Sequence, residues 1–169
     1  MDKERIKGIT YVSLCVAVLT VISQFSIPFG YIPFTLQTFA VALVGYFLGA
    51  KNGLITVVVY IALGAIGAPV FSGLNGGVGV LISYTGGFIF GFIFLVLLCG
   101  IEGRTLSKIM NGLVGLILCH AVGTVQYMFL SDLDFVTAML TVSIPYILKD
   151  IALVIAAYFV GRVLKKRLE

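Results

Sequence analysis

Charge is what this chain lacks. Gly8–Ala50 and Gly53–Ile101 contain no Asp, Glu, Lys, Arg or His, and charged residues make up 11% of the 169. A soluble domain carries roughly a quarter, because about that much is needed to cover its surface. The shortfall excludes a soluble enzyme, a nucleic-acid-binding domain and a disordered segment. Paired cysteines are missing too. Cys15, Cys99 and Cys119 are odd in number, lie in apolar runs and form no Cys-x-x-Cys pattern, so neither a disulfide framework nor a metal site is expected. There is no Gly-x-x-x-x-Gly-Lys-[Ser/Thr] phosphate loop, no His-Glu-x-x-His, no paired intramembrane carboxylates and no Ser/His/Asp set. ATP hydrolysis by the chain itself is not expected, and an intramembrane enzyme would have little to work with.

What is present is apolar: 60% hydrophobic residues and a mean hydropathy of +1.17. We read an integral membrane protein, a single domain over 1–169. A helical span needs ~20 apolar residues, and dividing the chain at its charges, prolines and glycine clusters gives six candidates. These are Ile9–Gln24, Leu36–Ala50, Gly53–Ala68, Thr85–Ile101, Lys108–Leu130 and Ile144–Val163. The runs are apolar on every side, without the alternation of a membrane β-barrel, so the expected class is all-α. The first run follows the basic start at Lys3, Arg5 and Lys7 without an Ala-x-Ala-like site, and is expected to be a retained span rather than a cleaved signal. Six spans put both termini on one side with ten of the eleven Lys and Arg. The connections Phe25–Thr35, Pro69–Tyr84 and Ser131–Ser143 hold none. The positive-inside rule then makes both termini cytoplasmic.

Polar side chains within spans usually face the bundle interior or a wet cavity, and here they crowd toward the outer face. Gln24, Gln37, Asn75, Ser83, Tyr84, Gln126, Tyr127, Lys149 and Asp150 all fall there, while the inner halves are nearly pure hydrocarbon. The pattern predicts a pocket open outward and closed inward. Lys149-Asp150 is the sharpest signal, since an ionised group within a span costs ~2.5–3.5 kcal/mol on insertion scales. Sequence neighbours diverge by ~100° on a helix, so each charge is expected to find a separate partner. The segment Pro69–Val80 is the second signal. Its Gly73, Gly76, Gly77 and Gly79 permit positive φ and close backbone approach, and it is expected to dip into the mouth of the bundle. Asn75 both donates and accepts, which suits an amide-like or urea-like ligand. His120, with no acid near it in sequence, reads as a hydrogen-bonded core histidine.

Three stretches carry a family resemblance: Ile32-Pro-Phe-Thr-Leu-Gln-Thr-Phe39, Leu63-Gly-Ala-Ile-Gly-Ala-Pro-Val-Phe71, and Asn75-Gly-Gly-Val-Gly-Val-Leu81 followed by Thr85-Gly-Gly-Phe88. They resemble the BioY family, the biotin-binding S components of energy-coupling-factor vitamin transporters, over about Thr10–Val160. The resemblance implies a six-helix S-component bundle in a bacterial or archaeal cytoplasmic membrane, with biotin as ligand and no cofactor. It also implies partners: a transmembrane coupling protein and two ATPase subunits. Asn75 matches the family's binding asparagine and Asp150 its aspartate in the last helix. Ser13-x-x-x-Ala17 resembles the first-helix motif that touches the coupling protein. The family places a lysine three residues after the aspartate; here that position is Leu153, and Lys149 precedes the aspartate instead. The expected substrate-binding set is Asn75, Lys149, Asp150, Gln37, Tyr84 and Gln126, with Ser13 and Ala17 at the partner contact. The residues alone stop at an outward-facing binder of a small monoanion. A self-sufficient transporter, proton-coupled through Asp150, and a membrane enzyme or assembly subunit remain as alternatives.

Overall fold

The computed structural model describes residues 3–28 and 30–168, and they form a mostly helical bundle. Helix α1 (Lys3–Ser23) leads into a small antiparallel hairpin, β1 (Ser26–Ile27) and β2 (Phe34–Thr35), which pairs Ser26 with Thr35 and Ile27 with Phe34. Helix α2 (Gln37–Ala65) follows, then α3 (Val78–Leu81), α4 (Gly86–Cys99), α5 (Thr105–Ser131), α6 (Phe135–Val142) and α7 (Ile144–Leu168). Three helical segments, Arg5–Ser23, Gln37–Ala65 and Thr105–Ser131, are long and apolar enough to cross a membrane; Gly86–Cys99 is shorter and equally apolar.

Helix α2 is not one rod. Gly49 has φ 78° and ψ 173°, a left-handed conformation that side chains resist and glycine adopts freely. A methyl group built on Gly53 would lie 3.4 Å from the Gly45 Cα, whereas eight residues of continuous helix would separate them by ~12 Å. The chain therefore turns back at Gly49, and Tyr60 on the second half meets Gln37 at the start of the first. The division expected between Ala50 and Gly53 is thus visible as a reversal. Ala50 N–H donates to Gly100 O at 3.2 Å, which fixes this turn to the end of α4.

Two ends of the bundle differ sharply. The end bearing the termini, the Gly49 turn and the α4–α5 connection holds the basic residues, including Lys108 and Lys165, which bracket Glu102 at 2.6 and 3.0 Å. Those two lysines hold the Glu102 carboxyl below its ordinary value, Lys108 through the stronger hydrogen bond. The opposite end carries the hairpin, the glycine-rich segment and α6. Here the connection 131–143, to which the sequence assigned no element, contains the helix α6. Asp134 caps it, accepting from Thr137 N–H at 3.1 Å and Thr137 Oγ1 at 2.6 Å, as an N-cap carboxylate does at a helix start.

The main core gathers Leu19, Val41, Val57, Tyr60, Leu95, Leu116 and Val154 from α1, α2, α4, α5 and α7. A smaller cluster of Ile32, Tyr127, Ala138, Val142 and Tyr146 closes the hairpin end. Large apolar side chains such as Leu14, Ile55, Phe94, Ile117, Phe129 and Phe159 are exposed around the outside, the surface expected of a bundle solvated by acyl chains. In lipid, apolar contact does not drive helices together, and close packing of small residues does. Gly91 of α4 supplies such a contact: a methyl there would meet Cys119 Cα, O and Sγ of α5 at 2.7–2.8 Å. All three cysteines are buried and free.

Candidate functional site

At the hairpin end the elements surround a cavity of about 170 Å³. That is more than ten times the ~10–15 Å³ one water requires, so it is a space for a molecule rather than a packing defect. Phe71, Phe88, Ile89, Phe92 and Leu116 form apolar wall; Ile32, Pro33 and Thr35 of the hairpin lie over it. Polar groups come from Gln37 and Thr38 where α2 starts, Ser72 and Asn75 in the glycine-rich segment, Thr85 just before α4, His120 on α5, and Lys149 with Asp150 on α7.

The charged pair is geometrically informative. Lys149 Nζ stands 2.9 Å from Asp150 Oδ1, so these sequence neighbours do pair, contrary to the expectation of separate partners. The ~100° divergence is overcome because the long lysine stem folds back across the helix surface. Each charge also has a second contact. Lys149 donates to Thr35 O at 3.0 Å and lies 5.3 Å from the centre of the Phe34 ring. Asp150 Oδ2 is 3.3 Å from His120 Nε2. Oδ1 is buried and has the Lys149 ammonium beside it at 2.9 Å; a carboxylate oxygen can accept a second hydrogen bond as well.

The remaining predicted residues are placed unevenly. Gln37 reaches the cavity while donating to Tyr60 OH at 2.9 Å, and Tyr60 in turn contacts Ser23 and donates to Val70 O. Asn75 sits exposed on the rim, where its Nδ2 donates to Ser72 O at 2.7 Å and its carbonyl oxygen remains as acceptor. The segment around it has left-handed backbone at Gly73 (φ 72°) and Gly77 (φ 94°). Gly76 is instead needed for space: a methyl there would lie 2.3 Å from Ala68 O. Tyr84 and Gln126 are outside the cavity. Tyr84 packs in a tyrosine cluster, its ring 5.1 Å from Tyr127 and 6.1 Å from Tyr31. Gln126 donates to Leu81 O and Ser83 O at 2.9 and 2.8 Å, satisfying main-chain carbonyls at the turn before α4. Ser13 and Ala17 lie on the exposed face of α1, and Ser13 borders an apolar groove between α1 and the second half of α2.

Two further cavity residues shape the site. His120, read as a hydrogen-bonded core histidine, is buried and hydrogen-bonded as expected, and the α5–α7 contact also brings it to Asp150, which no local pattern reveals. Tyr146 lines the cavity, donates to Ile32 O and stacks on Phe34 with ring centres 4.6 Å apart. Its position one turn before Lys149 and Asp150 put it on their face, a signal that was available.

An apolar helical bundle with a walled cavity and a buried carboxylate flanked by a lysine and a histidine defines a membrane-embedded solute-binding protein. The comparisons make this specific. The BioY family model matches residues 1–169. A probable biotin transporter BioY of Pyrococcus horikoshii is 35% identical over 87% of this chain and 89% of its own. The biotin transporter BioY of Thermotoga maritima is 37% identical over 89% and 90%. A crystal structure of the S-component for biotin from an ECF-type ABC transporter superposes with a TM-score of 0.88 at 26% identity, covering 98% of this chain and 94% of that one. The chain belongs to the BioY family. It is an S-component-like membrane bundle of a transport family, not an enzyme.

Proposed function

We propose that the chain is the biotin-capturing subunit of an ATP-driven uptake transporter. The observation that carries this reading is Asp150, a buried carboxylate on the cavity wall with Lys149 2.9 Å from Oδ1 and His120 3.3 Å from Oδ2. A ureido group offers two N–H donors and one C=O, and a carboxylate such as Oδ1 is an acceptor-only partner for such N–H groups. Asn75 bonds the same group from the rim, and Lys149 balances the valerate carboxylate. The apolar walls take the bicyclic ring and chain, the mix of lining typical of small-molecule sites. Gln37 contributes to the polar side of the pocket.

In this reading the whole chain, 1–169, is one substrate-binding domain with six spans: α1, the two halves of α2, α4, α5 and α7. Both termini face the cytoplasm, as the ten basic residues at that end support, and the cavity faces outward across a bacterial or archaeal cytoplasmic membrane. A transmembrane coupling protein and two ATPase subunits supply the energy, because a binder alone only equilibrates its solute. The exposed Ser13 and Ala17 face meets the coupling protein.

Titrating purified protein with biotin tests the site. Asp150→Asn and Lys149→Met are each expected to weaken binding about 10-fold or more, the value of a charge-assisted hydrogen bond, with a smaller loss in Asn75→Ala. Unchanged affinity in both Asp150→Asn and Asn75→Ala refutes the site. Cellular uptake that persists without any ATPase subunit, yet collapses with the proton gradient, refutes the partner reading.

A further inference from the structure

His120 is wired into a chain of buried groups that the ligand-binding reading does not use. On α5 its ring is 6% exposed and meets the Phe88 ring edge-on, with centres 5.6 Å apart. Nε2 faces Asp150 Oδ2 at 3.3 Å, and Nδ1 lies 3.1 Å from Ser143 Oγ, at the break between α6 and α7. Ser143 Oγ is in turn 2.7 Å from Thr124 Oγ1, one turn beyond His120 on α5. Thr124, Ser143 and Asp150 are all buried.

Counting protons gives this chain a direction. An ionised carboxylate only accepts, so Nε2 carries the hydrogen that faces Asp150. In a neutral ring Nδ1 is then bare and must accept, and Ser143 is the donor beside it. The single Ser143 proton is thereby used, so the Thr124 hydroxyl donates to Ser143. The order is Thr124 to Ser143 to His120 to Asp150, and each hydroxyl and the ring N–H is spent once.

We propose that His120 is a positioning residue for ligand capture, held in its Nε2–H tautomer by Ser143 and Thr124. By occupying Oδ2, His120 fixes the rotation of the Asp150 carboxylate and leaves Oδ1, already beside Lys149 at 2.9 Å, to offer its second lone pair to a ligand N–H. The proposal rests on the biotin reading for its affinity consequences but not for the tautomer. Locking one side chain through partners behind it is how a binding group is kept in productive geometry.

The chain has a single histidine, so ¹⁵N-histidine labelling gives NMR signals from this ring alone. The expected wild-type spectrum is that of the neutral Nε2–H tautomer. Ser143→Ala, which removes the donor to Nδ1 without touching the ring, is expected to populate the other tautomer and to weaken biotin binding. His120→Leu should weaken it by about 10-fold or more, and His120→Gln, which keeps an N–H at similar reach, should restore affinity to within about 3-fold of wild type. A wild-type spectrum of the Nδ1–H tautomer or of the imidazolium overturns the proposal, as does wild-type affinity in His120→Leu. If His120→Leu fails to fold, equal affinity in Ser143→Ala and wild type overturns it. Absence of biotin binding by the wild-type chain would instead refute the biotin reading, and the tautomer spectra of wild type and Ser143→Ala then decide the positioning role by themselves.

Discussion

Replacing Gly91 by alanine would set a methyl group 2.7 Å from Cys119 Cα and 2.8 Å from its carbonyl oxygen. Ordinary contact begins at 3.4 Å, so α4 and α5 must part by about 0.7 Å (3.4 less 2.7). Two of the obstructing atoms are backbone, which cannot rotate away as a side chain would. Overpacking of this kind costs ~1–3 kcal/mol. Alanine also favours the helix over glycine by up to ~1 kcal/mol, and Gly8→Ala in α1 isolates that gain because nothing lies within 4 Å of a methyl there. The two variants thus differ by the packing term alone, a gap in Tm on the order of 2–10 °C for a chain of this size. Thermal unfolding of both in the same detergent measures it. Cys119 adjoins His120, and both line the cavity, so weaker biotin binding should accompany the lower Tm of Gly91→Ala. A Gly91→Ala protein that melts at or above Gly8→Ala would refute the claim that this contact fixes the distance between the helices.

Gln126→Leu strands the carbonyls of Leu81 and Ser83; we expect a loss of ~1–3 kcal/mol in unfolding free energy with biotin affinity within about 3-fold of wild type, read by paired denaturation and titration. Glu102 gives the pH dependence. Its folded value is lowered from 4.5, first by Lys108 and then by Lys165, so its contribution is complete above that value and is lost as the pH falls through the lowered one. Glu102→Gln should therefore melt below wild type at neutral pH, by no more than the ~0.2–1 kcal/mol of exposed pairs, and the difference should vanish in acid.

Much of the bundle was legible because the bilayer forces a simple code: charge-free runs become helices, and the breaks at Gly49–Asn52 and around Gly73–Gly79 fall where the backbone needs glycine. Lys149 and Asp150 stood out for the same reason, being ionisable where ionisation is expensive. The helix 135–142 was missed because it is only two turns long and its cue, Asp134 three residues before Thr137, resembles any polar turn. The approach of His120 to Asp150 was illegible because it is a distance between helices far apart in sequence. Gln126 and Tyr84 were overvalued for a related reason: depth in the membrane can be read from sequence, whereas the direction of a side chain around the bundle axis cannot when apolar residues surround the helix. Gln126 turned to carbonyls and Tyr84 to other tyrosines.

Both bonds by which α7 fastens the hairpin end on main-chain oxygens, Tyr146 to Ile32 O and Lys149 to Thr35 O. Every amino acid carries that oxygen, so the fastening is indifferent to which side chains the strap displays. Exchanging residues at 33 or 35 should alter what the strap presents to a guest while leaving the buckle done up, whereas Ile32 is held in the hairpin-end core. Those two positions are where a designer wishing to change the cargo could begin.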